Sequence, residues 1–138
     1  MFRLNERLAG DTVPLGVSPL CRVLLMDNRH WPWLILVPER PDVRELHHLD
    51  APDRVRLIEE ISFVSKVLED VSRPDKLNVG ALGNVVPQLH VHVIARRRDD
   101  PAWPGPVWGS GHADRYPAGE RDAWTQRLRE ALRPLWRE

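Results

Sequence analysis

Residues Gln88-Leu89-His90-Val91-His92-Val93-Ile94-Ala95-Arg96 open with polar and apolar side chains in strict alternation. In an extended strand alternate residues share a face, so Leu89, Val91 and Val93 take one side and Gln88, His90 and His92 the other. Two imidazoles placed this way have Cβ atoms roughly 6–7 Å apart. One reading needs no chemistry: the outer face of a half-exposed strand is polar. A second is metal binding, since His-x-His can supply two ligands where zinc takes three or four. His30, His47, His48, Asp27 and His112 are the remaining candidates, but none stands at a diagnostic spacing, and we assign no metal ligands. A third is nucleophilic catalysis, because much of an ordinary histidine is neutral near physiological pH and free to attack. A phosphorus centre under attack also needs donors around its non-bridging oxygens. The Gln88 amide, a protonated His92 and the Gly83-Asn84 turn could supply them. Only this third reading accounts for so many such groups in one short stretch.

Several elements must position these side chains. Leu77-Asn78-Val79-Gly80 reads as a short strand before the Gly83-Asn84 turn. Val23–Met26 and Trp33–Val37 are apolar runs separated by Asp27-Asn28-Arg29-His30-Trp31-Pro32, which predicts an antiparallel pair. Being apolar at every position, both should be buried on two faces, beneath a helix or a partner subunit. Asp50-Ala51-Pro52-Asp53 carries the marks of a helix start. Leu57, Ile61, Val64, Leu68 and Val71 then recur at alternating spacings of four and three, flanked by Ile58 and Val67, until Ser72-Arg73-Pro74 ends the helix. Arg97 to Tyr116 reads as an ordered loop containing Trp103 and Trp108. Ala118 to Trp136 reads as a second helix with Trp124, Leu128, Leu132 and Leu135 as its stripe.

The chain has 138 residues, 42% of them hydrophobic and 29% charged, which fits one globular domain over 1–138. Twenty basic residues balance twenty acidic ones. That balance argues against a general nucleic-acid partner, which would call for a basic stripe. It leaves room for a small anionic ligand, and the absence of net repulsion permits self-association. Cys21, the only cysteine, lies in an apolar run and reads as a packed thiol. No apolar run reaches membrane-spanning length and no leader segment is evident, so the expected location is the cytoplasm without membrane attachment.

The stretch from Leu77 to Arg96 closely resembles the signature of the histidine-triad (HIT) superfamily, His-φ-His-φ-His-φ-φ (φ apolar) after a Gly-rich turn with an amide residue. Leu34-Ile35-Leu36-Val37-Pro38 is similar to that family's nucleoside-binding strand, and together the likeness spans roughly residues 20–96. The resemblance implies an α+β fold: a five-stranded antiparallel sheet with two main helices, paired into a two-fold homodimer. It implies a nucleotide substrate attacked at its α-phosphate, with dinucleoside polyphosphates and nucleoside phosphoramidates as the substrate classes. By the same resemblance His90 is the nucleophile that forms a nucleotidyl-histidine, and His92 supports the phosphate pocket. Gly83 and Asn84 contact phosphate, Asn78 is the upstream amide, and Asp27 or Asn28 meets the ribose hydroxyls. No cofactor is implied, though Mg²⁺ could accompany a polyphosphate. Three positions depart from the pattern: Gln88 replaces the first histidine, Trp33 an upstream histidine, and Val85 a Ser or Thr beside the phosphate. Gln88, counted with His90 and His92 as catalytic, can hold an oxygen but cannot relay a proton. These departures leave a second expectation, a nucleotide-binding or sensing protein with little turnover. Asp100 to Gly109, with its tryptophans, could line the leaving-group side or simply pack onto the sheet.

Overall fold

The computed structural model describes residues 1–137. It contains helix α1 (Glu6–Asp11), strands β1 (Thr12–Val17), β2 (Cys21–Met26) and β3 (Trp33–Pro38), and helix α2 (Ala51–Ser72). These are followed by β4 (Lys76–Gly80), β5 (Val91–Arg96) and helix α3 (Ala118–Ala131). The strands form one five-stranded antiparallel sheet in the order β1-β2-β3-β5-β4. This is the expected α+β architecture with two main helices.

Strand alternation divides the core into two layers. Val23, Leu25, Leu34, Leu36, Val91 and Val93 face α2 and α3, where Leu57, Val64, Leu68 and Leu128 meet them. Leu24, Ile35, Val37 and Ile94 face the opposite side, where Leu8 of α1, Trp31, Val86 and Val107 cover them. β3 is therefore buried on both faces, by helices on one and by α1 and loops on the other. Each large apolar side chain so buried contributes about 1.5–3 kcal/mol.

α2 is built as its signals predict. The Asp50 side chain accepts from the Asp53 N–H at 2.9 Å, Pro52 sits in the first turn, and Arg73 ends the helix at φ 49°. Its buried stripe differs in two places. Ile58 is 58% exposed and does not widen the apolar face, and Glu60 is buried instead. The Glu60 carboxylate accepts from Ser18 Oγ and from the Leu20 N–H at 3.0 Å, tying the β1–β2 turn to the helix. Burial, and secondly Glu60, push the neighbouring Cys21 thiol up, so it stays a protonated packing group.

Three further features differ from the sequence expectation. α1 and β1 go unannounced by any periodic pattern, because Pro14 and Gly16 interrupt β1; a register shift falls between them, and an edge strand tolerates the missing N–H. β5 begins at Val91, so Gln88, Leu89 and His90 lie outside the ladder, with the chain bending at Gln88. α3 stops at Ala131, and a short 3-10 turn over Arg133–Leu135 delivers Trp136 onto Gly16, where a Cβ would meet its ring at 2.7 Å.

Candidate active site

Antiparallel pairing sets Ile35 opposite His92 and Trp33 opposite Ile94, so Trp33 and His92 lie diagonally on the same sheet face. The Trp33 indole Nε1–H donates to His92 Nδ1 at 3.0 Å. Two residues before His92, His90 Nδ1 lies 2.7 Å from the Gln88 carbonyl oxygen. A carbonyl only accepts, so Nδ1 carries a proton, and in the neutral ring the lone pair is on Nε2. The two imidazoles meet edge to face with centroids 4.8 Å apart, and both are buried. Burial first, and the neighbouring His90 second, push the His92 pKa down to about 3. Burial thus favours a neutral His92 imidazole over the protonated donor considered in the nucleophilic reading of the sequence.

Both histidines border a cavity of about 780 Å³, within the range that takes a nucleotide-sized molecule. Gly83 and Asn84 form part of its wall, with Gly83 in the left-handed conformation (φ 75°) that turns the chain toward His90. Asp27, Asn28, Trp33 and Val85 line it as well. Asp27 is already engaged: its carboxylate accepts from the Tyr116 N–H and from Arg115, each at 3.0 Å. Asn28 Oδ1 accepts from the His30 N–H, and its amide donates to the His112 carbonyl at 3.0 Å. This pair braces the loop before α3 as well as facing the cavity.

Two residues assigned to the site from sequence lie elsewhere. The Gln88 side chain turns to the N-terminal segment, accepting from the Asn5 N–H at 2.9 Å and donating to the Arg3 carbonyl at 2.8 Å. Asn78 Oδ1 accepts from Arg96 at 2.8 Å. Neither borders the cavity. The two tryptophans of the Pro-rich loop separate. Trp103 lies over the Arg96 guanidinium at 5.5 Å, whereas Trp108 lines the cavity with its ring 5.5 Å from His92. Arg96, 1% exposed, fixes that loop by a bidentate pair to Asp100 and a bond to the Gly105 carbonyl. Burial alone would raise the Asp100 pKa, but Arg96 and nearby backbone N–H groups hold it well below the usual carboxylate range. Arg7, Asp11 and Arg115 also line the cavity and have no signal in sequence, since they reach it from α1 and from the loop before α3; His112, considered from sequence only as a metal ligand, lines it too. Among the described residues, no three His, Cys, Asp or Glu side chains converge as a metal site.

The HIT domain model matches residues 10–99, the part of the chain that holds the whole sheet and both histidines. Three solved structures are similar over nearly the full length. A histidine triad protein from Sinorhizobium meliloti 1021 shares 48% identity at a TM-score of 0.92, covering 96% of this chain and 98% of that one. One from Marinobacter aquaeolei VT8 shares 47% at 0.95, covering 98% of each. One from Bradyrhizobium japonicum shares 46% at 0.91, again covering 98% of each. None of the curated proteins compared matches. With its sheet order, its paired imidazoles beside the Gly83-Asn84 turn and these likenesses, the chain belongs to the HIT domain family.

Proposed function

We propose that this chain is a nucleotide hydrolase or nucleotidyl transferase that works through a covalent His90 intermediate. The observation that carries the proposal is the hydrogen bond from His90 Nδ1 to the Gln88 carbonyl, which in the neutral ring leaves the lone pair on Nε2 of a residue that lines a nucleotide-sized cavity. Nε2 forms a bond to the α-phosphorus while the bond from phosphorus to the leaving group breaks, its electron pair departing with the leaving atom: a phosphate oxygen leaves as the anion, and an amine nitrogen leaves after taking a proton from solvent. Water then attacks phosphorus, the P–N bond breaks, the pair returns to Nε2, and the water proton passes to solvent. Asn84, the Gly83 turn and His92 line the same cavity as His90, and on this reading the Asn84 amide, the turn backbone and His92 would hold the non-bridging oxygens. Asp27 and Asn28, at the far end of β2, are where a ribose would rest. Dinucleoside polyphosphates and nucleoside phosphoramidates both fit this chemistry, and Mg²⁺ would enter only with a polyphosphate. The edge strand β4, with Val79 half exposed, is the surface through which two copies would join their sheets.

Intact-protein mass spectrometry after brief mixing with diadenosine tetraphosphate, acquired without acid, tests the proposal. Wild type should gain an adenylyl mass and release AMP, and His90→Ala should do neither. Wild-type turnover retained in His90→Ala would overturn it. One feature favours a second reading, a nucleotide-sensing protein: Gln88 contributes no donor to the cavity because its amide is committed to residues 3 and 5. AMP binding without adduct or hydrolysis in the wild type would establish that reading.

A further inference from the structure

We propose that Trp33 is a positioning residue that locks His92 in one tautomer, with its proton on Nε2. The argument starts from what an indole can do. Its Nε1–H donates and never accepts. At 3.0 Å from His92 Nδ1 it therefore requires that nitrogen to be the acceptor, so the ring's single proton sits on Nε2. Trp33 and His92 are 7% and 6% exposed, so water does not compete for this bond. Removing the indole N–H would leave a buried Nδ1 with no donor, and the imidazole could then gain one only by changing tautomer or turning.

The lock gives the two imidazoles opposite characters. Carbonyl contact at Nδ1 leaves His90 with a bare Nε2, and indole contact at Nδ1 leaves His92 with an Nε2–H. One ring is a nucleophile, and the other is a neutral hydrogen-bond donor beside it. On the reading of His90 as the nucleophile, on which this rests, His92 donates to a phosphate oxygen and carries no spare proton to a leaving group. A histidine in place of Trp33 would impose no such choice, because an imidazole can donate or accept.

Nitrogen-15 NMR of the histidine side chains tests the lock without any turnover. The wild type should show His92 with an acceptor Nδ1 and a protonated Nε2, with scalar coupling across the Trp33 Nε1–H to His92 Nδ1 bond. Trp33→Phe should move both nitrogens toward the average of the two tautomers, and Trp33→His serves where Trp33→Phe does not fold. A wild-type His92 protonated at Nδ1, or unchanged nitrogen shifts in a folded Trp33 variant, would overturn the proposal. Single-turnover adenylylation adds a second test. Trp33→Phe should slow the step at least tenfold in wild type but no further in His92→Ala, whereas equal slowing in both backgrounds would show that Trp33 does not act through His92. If wild type forms no adduct, the nucleophile reading fails while the NMR result still decides the lock.

Discussion

His92 gives a direct handle on the energetics of the site. In the unfolded chain a histidine titrates near its ordinary value of about 6.5. In the fold, burial and His90 push the His92 pKa down to about 3. Between these values the unfolded chain binds a proton that the folded chain refuses, so stability rises with pH across the window and is lost on acidification. The slope approaches about 1.4 kcal/mol per pH unit, and the loss between neutral pH and about pH 5 comes to about 2 kcal/mol from this residue alone. Urea unfolding of wild type and His92→Asn, at a series of pH values from about 7.5 to about 5, measures it. Asparagine keeps an acceptor for the Trp33 indole and does not titrate, so other carboxylates and histidines cancel in the comparison. Wild type should lose about 2 kcal/mol more than the variant over that range. Parallel pH dependences, within about 0.5 kcal/mol, would refute the idea that the fold holds His92 neutral against its solution pKa.

Arg96→Ala should cost about 3–5 kcal/mol in urea unfolding, because it strands the buried Asp100 carboxylate and releases Asn78 and the Gly105 carbonyl. Arg96→Lys should recover little of this, since an ammonium cannot make the bidentate pair. Gln88→His should not raise hydrolysis. It should instead loosen the N-terminal residues, seen as faster amide exchange at Asn5, because the replaced amide holds Asn5 and Arg3 rather than a phosphate. Steady-state assays should show diadenosine polyphosphates turned over at least about tenfold faster than an adenosine phosphoramidate with an alkylamine leaving group, since an expelled amine needs a proton that neutral His92 does not offer. Equal rates would show that another acid serves the leaving group.

Much of the fold can be read from the chain because its strands and α2 obey simple periods. β3 and β5 carry β-branched and aliphatic runs, and the Asp50 cap and Pro52 mark the helix start without ambiguity. α1 and β1 are hidden because six residues of helix and a strand broken by Pro14 and Gly16 carry no period to detect. At the site, alternation places His90 and His92 on one face correctly, but alternation says nothing of what covers that face. Gln88 shares their parity and yet faces residues 3–5, because the N-terminal segment crosses there, a contact 83 residues distant in sequence. Asn78 is likewise claimed by Arg96, and Asp27 by Arg115 and Tyr116. Long-range partners of this kind leave no local pattern. Trp33, a departure from the family pattern, acquires a role only when its indole is seen against His92.

The strand order has a consequence for how the chain is made. β4 precedes β5 in sequence, yet β5 lies between β3 and β4 in the sheet. Until residue 96 has left the ribosome, the inner edge of β3 stands open, its backbone unpaired along Trp33 to Leu36, and β4 has nothing to pair with. Such an open apolar edge is a hazard for a nascent chain, and any fragment ending before β5 should aggregate or recruit a chaperone. The strand that closes this gap is also the one that carries His92 and is entered through His90. Assembly of the histidine pair and completion of the sheet are thus a single event, so a half-made chain has no paired imidazoles.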